Sequence, residues 1–459
     1  MAGSIKLKRT LGVASLFAVA IGSVSSQSSY VTLLNGAGLG GSLFFIALFI
    51  AFVIAVCYSF SFLELSLMMP RAGGLGNYAV VAGGNFLSIG VMLGGYLSVA
   101  PFGMPVEVFL MEHVAKVIHP GMPEHWGIAL VLLLTILNLL GIDVFSTTQN
   151  LLVYVLLVAL VSIALVGLRS PVQAGSVFAT LTRDMSFQGG SFISLLILAV
   201  WSFCGLEFVC PLVEESKDPN RSVPRAMLGA ALILLIIFFG IAWAGMRQVP
   251  VSELSFSDIP HWLLVDRLFG HTGGVVMMFF TLLTTSSVLN TVIASTPRML
   301  YGMARMGQLP PWFGKLHARW GTPWFSILVV STLILLPLLF LTGKKDLLMV
   351  MLYSCTMFWM VAYGVAHASV IILRRKYPDV VRPFKTPFYP LPQIVGFVGV
   401  AIILLKNTPS PNLARGVYVN GALLFIFIIT YAVPWVLFRM KKGLFEQVPM
   451  DELLGSPKE

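Results

Sequence analysis

The chain has 459 residues, 57% of them hydrophobic and only 10% charged. A soluble globular chain carries about 25% charged residues, so there is too little polar surface here to clothe a water-soluble body, and an outer surface facing lipid is the alternative. The net charge of +10 would suit a nucleic-acid partner, but the cations cluster in the gaps between apolar runs, which is a membrane-topology signal.

In chain order, a short basic stretch, Met1 to Thr10, precedes an apolar run too long for the core of a signal peptide and without a clear cleavage site, so residues 1–10 are expected to stay as a cytoplasmic tail. A helix needs about 20 mostly apolar residues to cross the hydrocarbon core. Such runs start at Leu11, Leu39, Phe86, Trp126, Leu151, Phe192, Ala226, Gly273, Phe325, Leu347, Leu391 and Tyr418, which predicts about twelve spans, the fourth and eleventh short. Barrel-like alternation of apolar and polar residues is absent, so the expected class is an all-α membrane protein. The longest hydrophilic interruptions, Arg298 to Thr322 and Arg374 to Pro390, leave no room for a soluble domain, and a single membrane domain over residues 11–438 with a tail at 439–459 is expected. Cys57, Cys204, Cys210 and Cys355 all lie in apolar runs and are read as small core residues.

Lys and Arg orient the spans. With the N-terminus inside, twenty cations fall on the cytoplasmic side, including Lys6, Lys8, Arg9, Arg71, Lys217, the segment from Arg298 to Arg319, Arg374 to Lys385, and Arg439 to Lys458. Nine fall outside: Lys116, Arg169, Arg183, Arg247, Arg267, Lys344, Lys345, Lys406 and Arg415. Both termini are therefore predicted to be cytoplasmic, in a cell membrane.

Two spans look interrupted. The first carries Ser23, Ser25, Ser26, Gln27, Ser28 and Ser29 amid apolar residues; the sixth reads Trp201-Ser202-Phe203-Cys204-Gly205-Leu206-Glu207, with Pro211 beyond. Polar residues at membrane depth are tolerated where they line a cavity, and unwound backbone there offers N–H and C=O groups to a solute. Small-residue packing between helices accounts for the same residues, and spacing alone leaves both readings open.

Three loops decide between them. After span two comes Glu64-Leu65-Ser66-Leu67-Met68-Met69-Pro70-Arg71-Ala72-Gly73-Gly74. After span six comes Glu214-Glu215-Ser216-Lys217-Asp218-Pro219 with Arg221, Pro224 and Arg225. After span eight comes Arg298-Met299-Leu300-Tyr301-Gly302-Met303-Ala304-Arg305, then Gly307, Leu309-Pro310, His317 and Gly321-Thr322-Pro323. In wording, order and position these resemble the amino acid–polyamine–organocation (APC) superfamily, from about Leu7 to Arg439.

The resemblance implies a five-plus-five inverted repeat with broken helices one and six (repeat one about 11–170, repeat two about 190–373) and two extra helices at about 391–438. It implies a permease: alternating access by a secondary transporter, with no catalysis and no cofactor. In such carriers a Gly-Ser-Gly-like turn in the first span holds the substrate carboxylate; the matching positions here, Ser26-Gln27-Ser28, lack the glycines, and with Ser25 they suit a carboxylate, a hydroxyl or an amine. The sixth span matches the family at Trp201, Phe203, Gly205 and Glu207. Carbonyls near Cys204 and Gly205 are expected to receive a substrate ammonium, with Trp201 and Phe203 beside it.

Buried ionisable groups in spans suggest function. Glu207 follows the second break and is a gating or coupling candidate, or else an acid bonded to freed backbone. Glu107, about one turn beyond Met104, is an acid the resemblance does not predict; it suits a substrate ammonium, a coupling proton, or a position high enough to reach water beside Glu112 and His113. Glu64 lies roughly 10 Å along a helix from Arg71; it is read mostly as an inner-end contact and is kept, with Glu207 and Asn290, among the gating or coupling candidates, while His367 is read as a packing residue ahead of a proton carrier. In span eight, Thr284, Thr285, Ser286 and Ser287, followed by Asn290, supply oxygen ligands for a sodium ion or hydrogen bonds between helices. The lysine that replaces the ion in some relatives is missing from Leu151 to Leu168.

Gly36-Ala37-Gly38-Leu39-Gly40-Gly41 fits a dinucleotide-binding pattern, but no strand precedes it; it is expected to form the outer turn between spans one and two. No phosphate-binding G-x-x-x-x-G-K-[ST], no H-E-x-x-H and no C-x-x-C occurs, and no filter-like repeat suggests a channel. The sequence predicts a carrier for amino acids, with an amine permease for ethanolamine- or polyamine-like substrates as the alternative. The coupling ion (proton or sodium) or exchange substrate stays open, and the lipid bilayer is the surrounding partner.

Overall fold

The computed structural model describes residues 7–173, 192–341, 345–406 and 411–454. Lys6, Arg183, Lys344 and Lys458, four of the cations used to orient the chain, lie outside them. Most of the described residues are helical, and they contain one isolated parallel bridge, Leu11 to Ser216.

The chain opens with α1 (Val13–Val24) and α2 (Gln27–Gly40), separated by Ser25 and Ser26, and continues with α3 (Ser42–Met68), α4 (Leu75–Gly83) and α5 (Asn85–Val91). Two wide π-type turns, Met92–Leu97 and Val99–Gly103, lead into α6 (Met104–Ile118). Then follow α7 (Gly127–Leu139), α8 (Ile142–Arg169) and α9 (Phe192–Trp201), the last continued by a 3₁₀ segment, Leu206–Glu215. The remainder is α10 (Pro219–Gln248), α11 (Val251–Phe256), α12 (Pro260–Phe269), α13 (Gly273–Arg305), α14 (Trp324–Phe340), α15 (Lys345–Lys376), α16 (Leu391–Lys406), α17 (Pro411–Pro434) and α18 (Met450–Leu454).

Among the described residues, eight helical stretches are long and apolar enough to cross a membrane: Ser42–Met68, Asn85–Ile118, Ile142–Arg169, Phe192–Glu215, Pro219–Gln248, Pro260–Arg305, Met349–Lys376 and Leu413–Met440. Four shorter apolar helices accompany them: α1, α7, α14 and α16. Exposed apolar side chains such as Phe49, Leu151, Val158, Ile236, Phe279 and Phe425 point outward, while serines, threonines, asparagines and glutamines gather in the centre. That inversion is what a bilayer solvent demands.

The first interruption has a local cause. Ser26 is extended (φ −96°, ψ 159°) and its hydroxyl caps α2 by accepting from Ser29 N–H at 3.2 Å; a serine at this position stabilises a helix start. The second interruption turns on Gly205 (φ +120°), a conformation that disfavours any Cβ. A Cβ there would also meet the Ser23 carbonyl oxygen at 3.0 Å, so the two breaks touch, backbone to backbone. Glycines 36 to 40 do not form the expected outer turn: they lie inside α2, which packs against α11, and Gly41 alone makes the turn.

On one face of the bundle, residues after α17 fold back over α4 and α5. Phe86 N–H donates to the Leu444 carbonyl (2.8 Å), the Gln447 amide donates to the Ala82 carbonyl (2.7 Å), and Arg71 reaches the Leu454 carbonyl. Nearby, Arg298 and Glu215 form an ion pair with both side chains 2% exposed. Glu64 is clasped by Arg374 (2.7 Å to each oxygen) and accepts from Thr386 N–H (2.8 Å). It thus ties α3 to the end of α15 and the chain beyond. Arg71, its expected neighbour, is engaged elsewhere.

Candidate functional site

The two breaks wall a small cavity together with the π-type turns before α6, the middle of α13 and the first half of α15. Its volume is about 20 Å³, room for about one water molecule; a cargo of amino-acid size requires the walls to part. Of the residues expected from sequence, Ser26, Ser28, Met104, Glu107, Trp201 and Cys204 line it. Ser25, Gln27, Phe203 and Gly205 do not. Phe203 turns its ring onto Phe52 and Phe238, and the Gln27 amide donates to Thr285 Oγ1 at 2.7 Å. The Gly205 carbonyl accepts from Ser23 Oγ at 2.9 Å, and its N–H donates to the Tyr363 hydroxyl at 3.2 Å.

Glu107 does not reach the outer water layer: it is 2% exposed. Its carboxylate faces the start of α2, where Gln27 N–H donates to Oε2 (2.7 Å) and Ser28 N–H donates to Oε1 (3.2 Å). A buried charge needs such partners, and helix-opening N–H groups supply them with favourable polarity.

Glu207 sits behind the cavity wall, 1% exposed. Trp359 Nε1–H donates to Oε1 (2.7 Å), the Tyr363 hydroxyl to Oε2 (2.7 Å), and the Tyr96 hydroxyl to Oε1 at 3.5 Å. One carboxylate therefore joins the 3₁₀ segment after the second break to α15 and to the π-type turn before α6. The indole of Trp359 and that of Trp201 meet edge to face at 6.1 Å, and Phe208 stands 5.5 Å from Trp359.

Trp359 and Tyr363 escaped the sequence reading, and Cys355, read as a small core residue, lines the cavity. Their signal was a four-residue spacing, Cys355-Trp359-Tyr363-His367, which puts one stripe of polar-capable side chains on an apolar helix. His367, at the end of that stripe, packs as expected, with Nδ1 2.9 Å from Ser61 Oγ.

On α13 the cavity meets Val288 and Val292 rather than the hydroxyl run. Thr284 and Ser287 donate to carbonyls at 3.0 Å within α13, Ser287 also approaches the Gly22 carbonyl (3.4 Å), and Thr285 Oγ1 accepts from Gln27. Ser286 is buried beside them. Between α1, α8 and α13 lies the amide of Gln149, which donates to the carbonyls of Ala18 (3.3 Å) and Ser287 (3.2 Å) and to Thr291 Oγ1 (3.0 Å). Asn290 completes this network, donating to Gln149 Oε1 (2.8 Å) and accepting from Asn138 (2.7 Å). The Gln149 amide thus engages one carbonyl of α1 and one of α13 where the two helices meet, beside the hydroxyl run rather than on it.

The sequence matches the profile of the amino acid permease family over residues 11–435. Among curated proteins it is 24% identical over 364 residues to the serine/threonine exchanger SteT of Bacillus subtilis, covering 77% of this chain and 80% of that one. It is 25% identical to the glutamate/serine transporter AimA of the same organism (87% and 77% covered) and 25% identical to its amino-acid permease RocE (93% and 95% covered). A match across nearly the whole membrane region, on a polytopic helical chain, means that this protein belongs to the amino acid permease family.

Proposed function

We propose that this protein is a secondary carrier that moves amino acids, or amines closely related to them, across the cell membrane by alternating access. The observation that carries the reading is the meeting of the two helix breaks at one closed cavity, Gly205 against Ser23; interrupted helices facing each other at the midplane are where such carriers hold their cargo. In this reading the eight long and four short apolar helices make about twelve spans, arranged as two inverted repeats of five with two helices added, and both termini are cytoplasmic. Ser26, Ser28, Met104, Glu107, Trp201 and Cys204 contact the cargo; Ser25, Gln27, Phe203 and Gly205 hold the backbone around it. Glu207 couples the second break to α15.

The relatives' names put amino acids first: one is described as a serine/threonine exchanger, another as a glutamate/serine transporter. The amine reading has one observation on its side, the Glu107 carboxylate seated on the N–H groups of Gln27 and Ser28. Coupling is to a proton or to a second, exchanged cargo, with sodium disfavoured by the Gln149 amide. The test is uptake and counterflow of labelled serine, glutamate, ornithine, ethanolamine and putrescine in proteoliposomes. Saturable movement of any of them supports the carrier reading, and none moving above protein-free vesicles sinks it.

A further inference from the structure

The first four N–H groups of a helix have no partner within it and form a ready anion site. In α2 the chain itself takes all four. Ser26 N–H donates to the Val24 carbonyl (2.8 Å), Gln27 and Ser28 donate to Glu107, and Ser29 donates to the Ser26 hydroxyl (3.2 Å). Glu107 comes from eighty residues further along the chain to do this. The Gln27 amide, held by Thr285 and the Glu107 carbonyl, braces the same turn. A carboxylate accepting at both oxygens is the same chemical group an amino acid would present there.

The rest of the cavity is built for the opposite charge. Among the described residues lining it there is no lysine or arginine, and Glu107 is the one ionisable oxygen acid. The rings of Trp201, Trp359 and Phe208 supply π-faces and edges within the same wall. An ammonium group gains from both the carboxylate and the rings. A carboxylate on the cargo meets Glu107 with no cation between them, and like charges at close range discriminate against the wrong ligand.

We infer that Glu107 is a specificity-determining residue, a built-in carboxylate that fills the anion seat of the first break, so that the cargo is an organic ammonium ion without a carboxylate, such as ethanolamine or a short diamine. The inference rests on the carrier reading of this cavity, and it sets the protein apart from relatives whose names specify amino acids.

The experiment uses the full-length protein and ligand pairs that differ by one carboxylate: ethanolamine with serine, putrescine with ornithine, cadaverine with lysine. Binding is read by thermal shift in detergent and by counterflow in proteoliposomes at neutral pH. The amine of at least one pair is expected to bind at least tenfold more tightly than its amino acid. Glu107→Ala, which empties the seat, is expected to reverse that order. The wild-type comparison stands even where the variant fails to fold. If the amino acids bind as well as the amines or better, the inference falls while the carrier reading survives. Amino-acid binding that appears only on acidification overturns it too, because Glu107 is then a proton-operated stopper and not a fixed filter. If no member of any pair binds or exchanges, both the inference and the carrier reading fall.

Discussion

Replacing Glu207 separates its role in holding the site together from its role in transport. Three buried donors converge on its two oxygens, two of them at 2.7 Å. Glu207→Leu orphans all three, and an unsatisfied buried donor costs about 1–3 kcal/mol; the sum, roughly 3–9 kcal/mol, rivals the whole stability of many proteins. Glu207→Gln is gentler. Its carbonyl oxygen still serves Trp359, and its amide can donate to Tyr363 if that hydroxyl turns. Tyr363 already accepts from Gly205 N–H, so the second break feels the change. Exchanging a charge-assisted bond for a neutral one removes about 1–2 kcal/mol. If that loss falls on one of two alternating states, their ratio moves about 5- to 30-fold. Glu207→Gln is therefore expected to insert and fold with a modestly lower melting temperature and to lose at least fivefold in uptake, whereas Glu207→Leu is expected to yield little folded protein. Melting in detergent and uptake in proteoliposomes are the two readouts. Wild-type uptake by the Gln variant would remove Glu207 from the transport cycle, and a Leu variant as stable as wild type would refute the hydrogen-bond argument itself.

Arg298→Met leaves Glu215 buried without its partner and is expected to cost about 3–5 kcal/mol, read as a large fall in melting temperature; adding Glu215→Leu should recover much of it. Gly302→Ala would drive a methyl into the backbone of Ala72 and Gly73, with Gly73 N at 2.7 Å. Backbone cannot step aside like a side chain, so a loss of about 3 kcal/mol or more is expected, and near-normal melting would mean that α13 and the 71–74 turn can separate. Replacing sodium by potassium in the uptake buffer is expected to change the initial rate less than twofold, because the Gln149 amide donates to a carbonyl of each of α1 and α13 where they meet. A steep sodium dependence would show that reading to be wrong.

The long helices were legible in the sequence because each is an apolar run, whereas short ones such as α11 and α12 were not; both breaks were legible because polar residues around Ser26 and Gly205 interrupt such runs, once the loops had favoured a cavity over small-residue packing. The partners of the buried acids were not. Glu64 looked toward Arg71, a few turns away, but is held by Arg374, 310 residues on. Glu107 stood out as unexpected, yet its bond to the start of α2 depends on how α6 is carried past the first break by the wide turns before it, a geometry no local pattern encodes. Span eight misled in a different way. Its hydroxyl run drew attention, but the helix turns those side chains toward α1 and its own carbonyls and gives the cavity two valines. Which face of a uniformly apolar helix points inward is set by neighbours from distant sequence.

The segment folded back over α4 and α5 has a consequence for biogenesis. Gln447 closes onto Ala82 across 365 residues, so a hairpin threaded early into the membrane waits for residues made more than three hundred peptide bonds later. Until the ribosome has delivered them, the carbonyls of that hairpin face water or a chaperone, and a nascent chain stalled before residue 440 can hold its helices in the bilayer without having this face sealed.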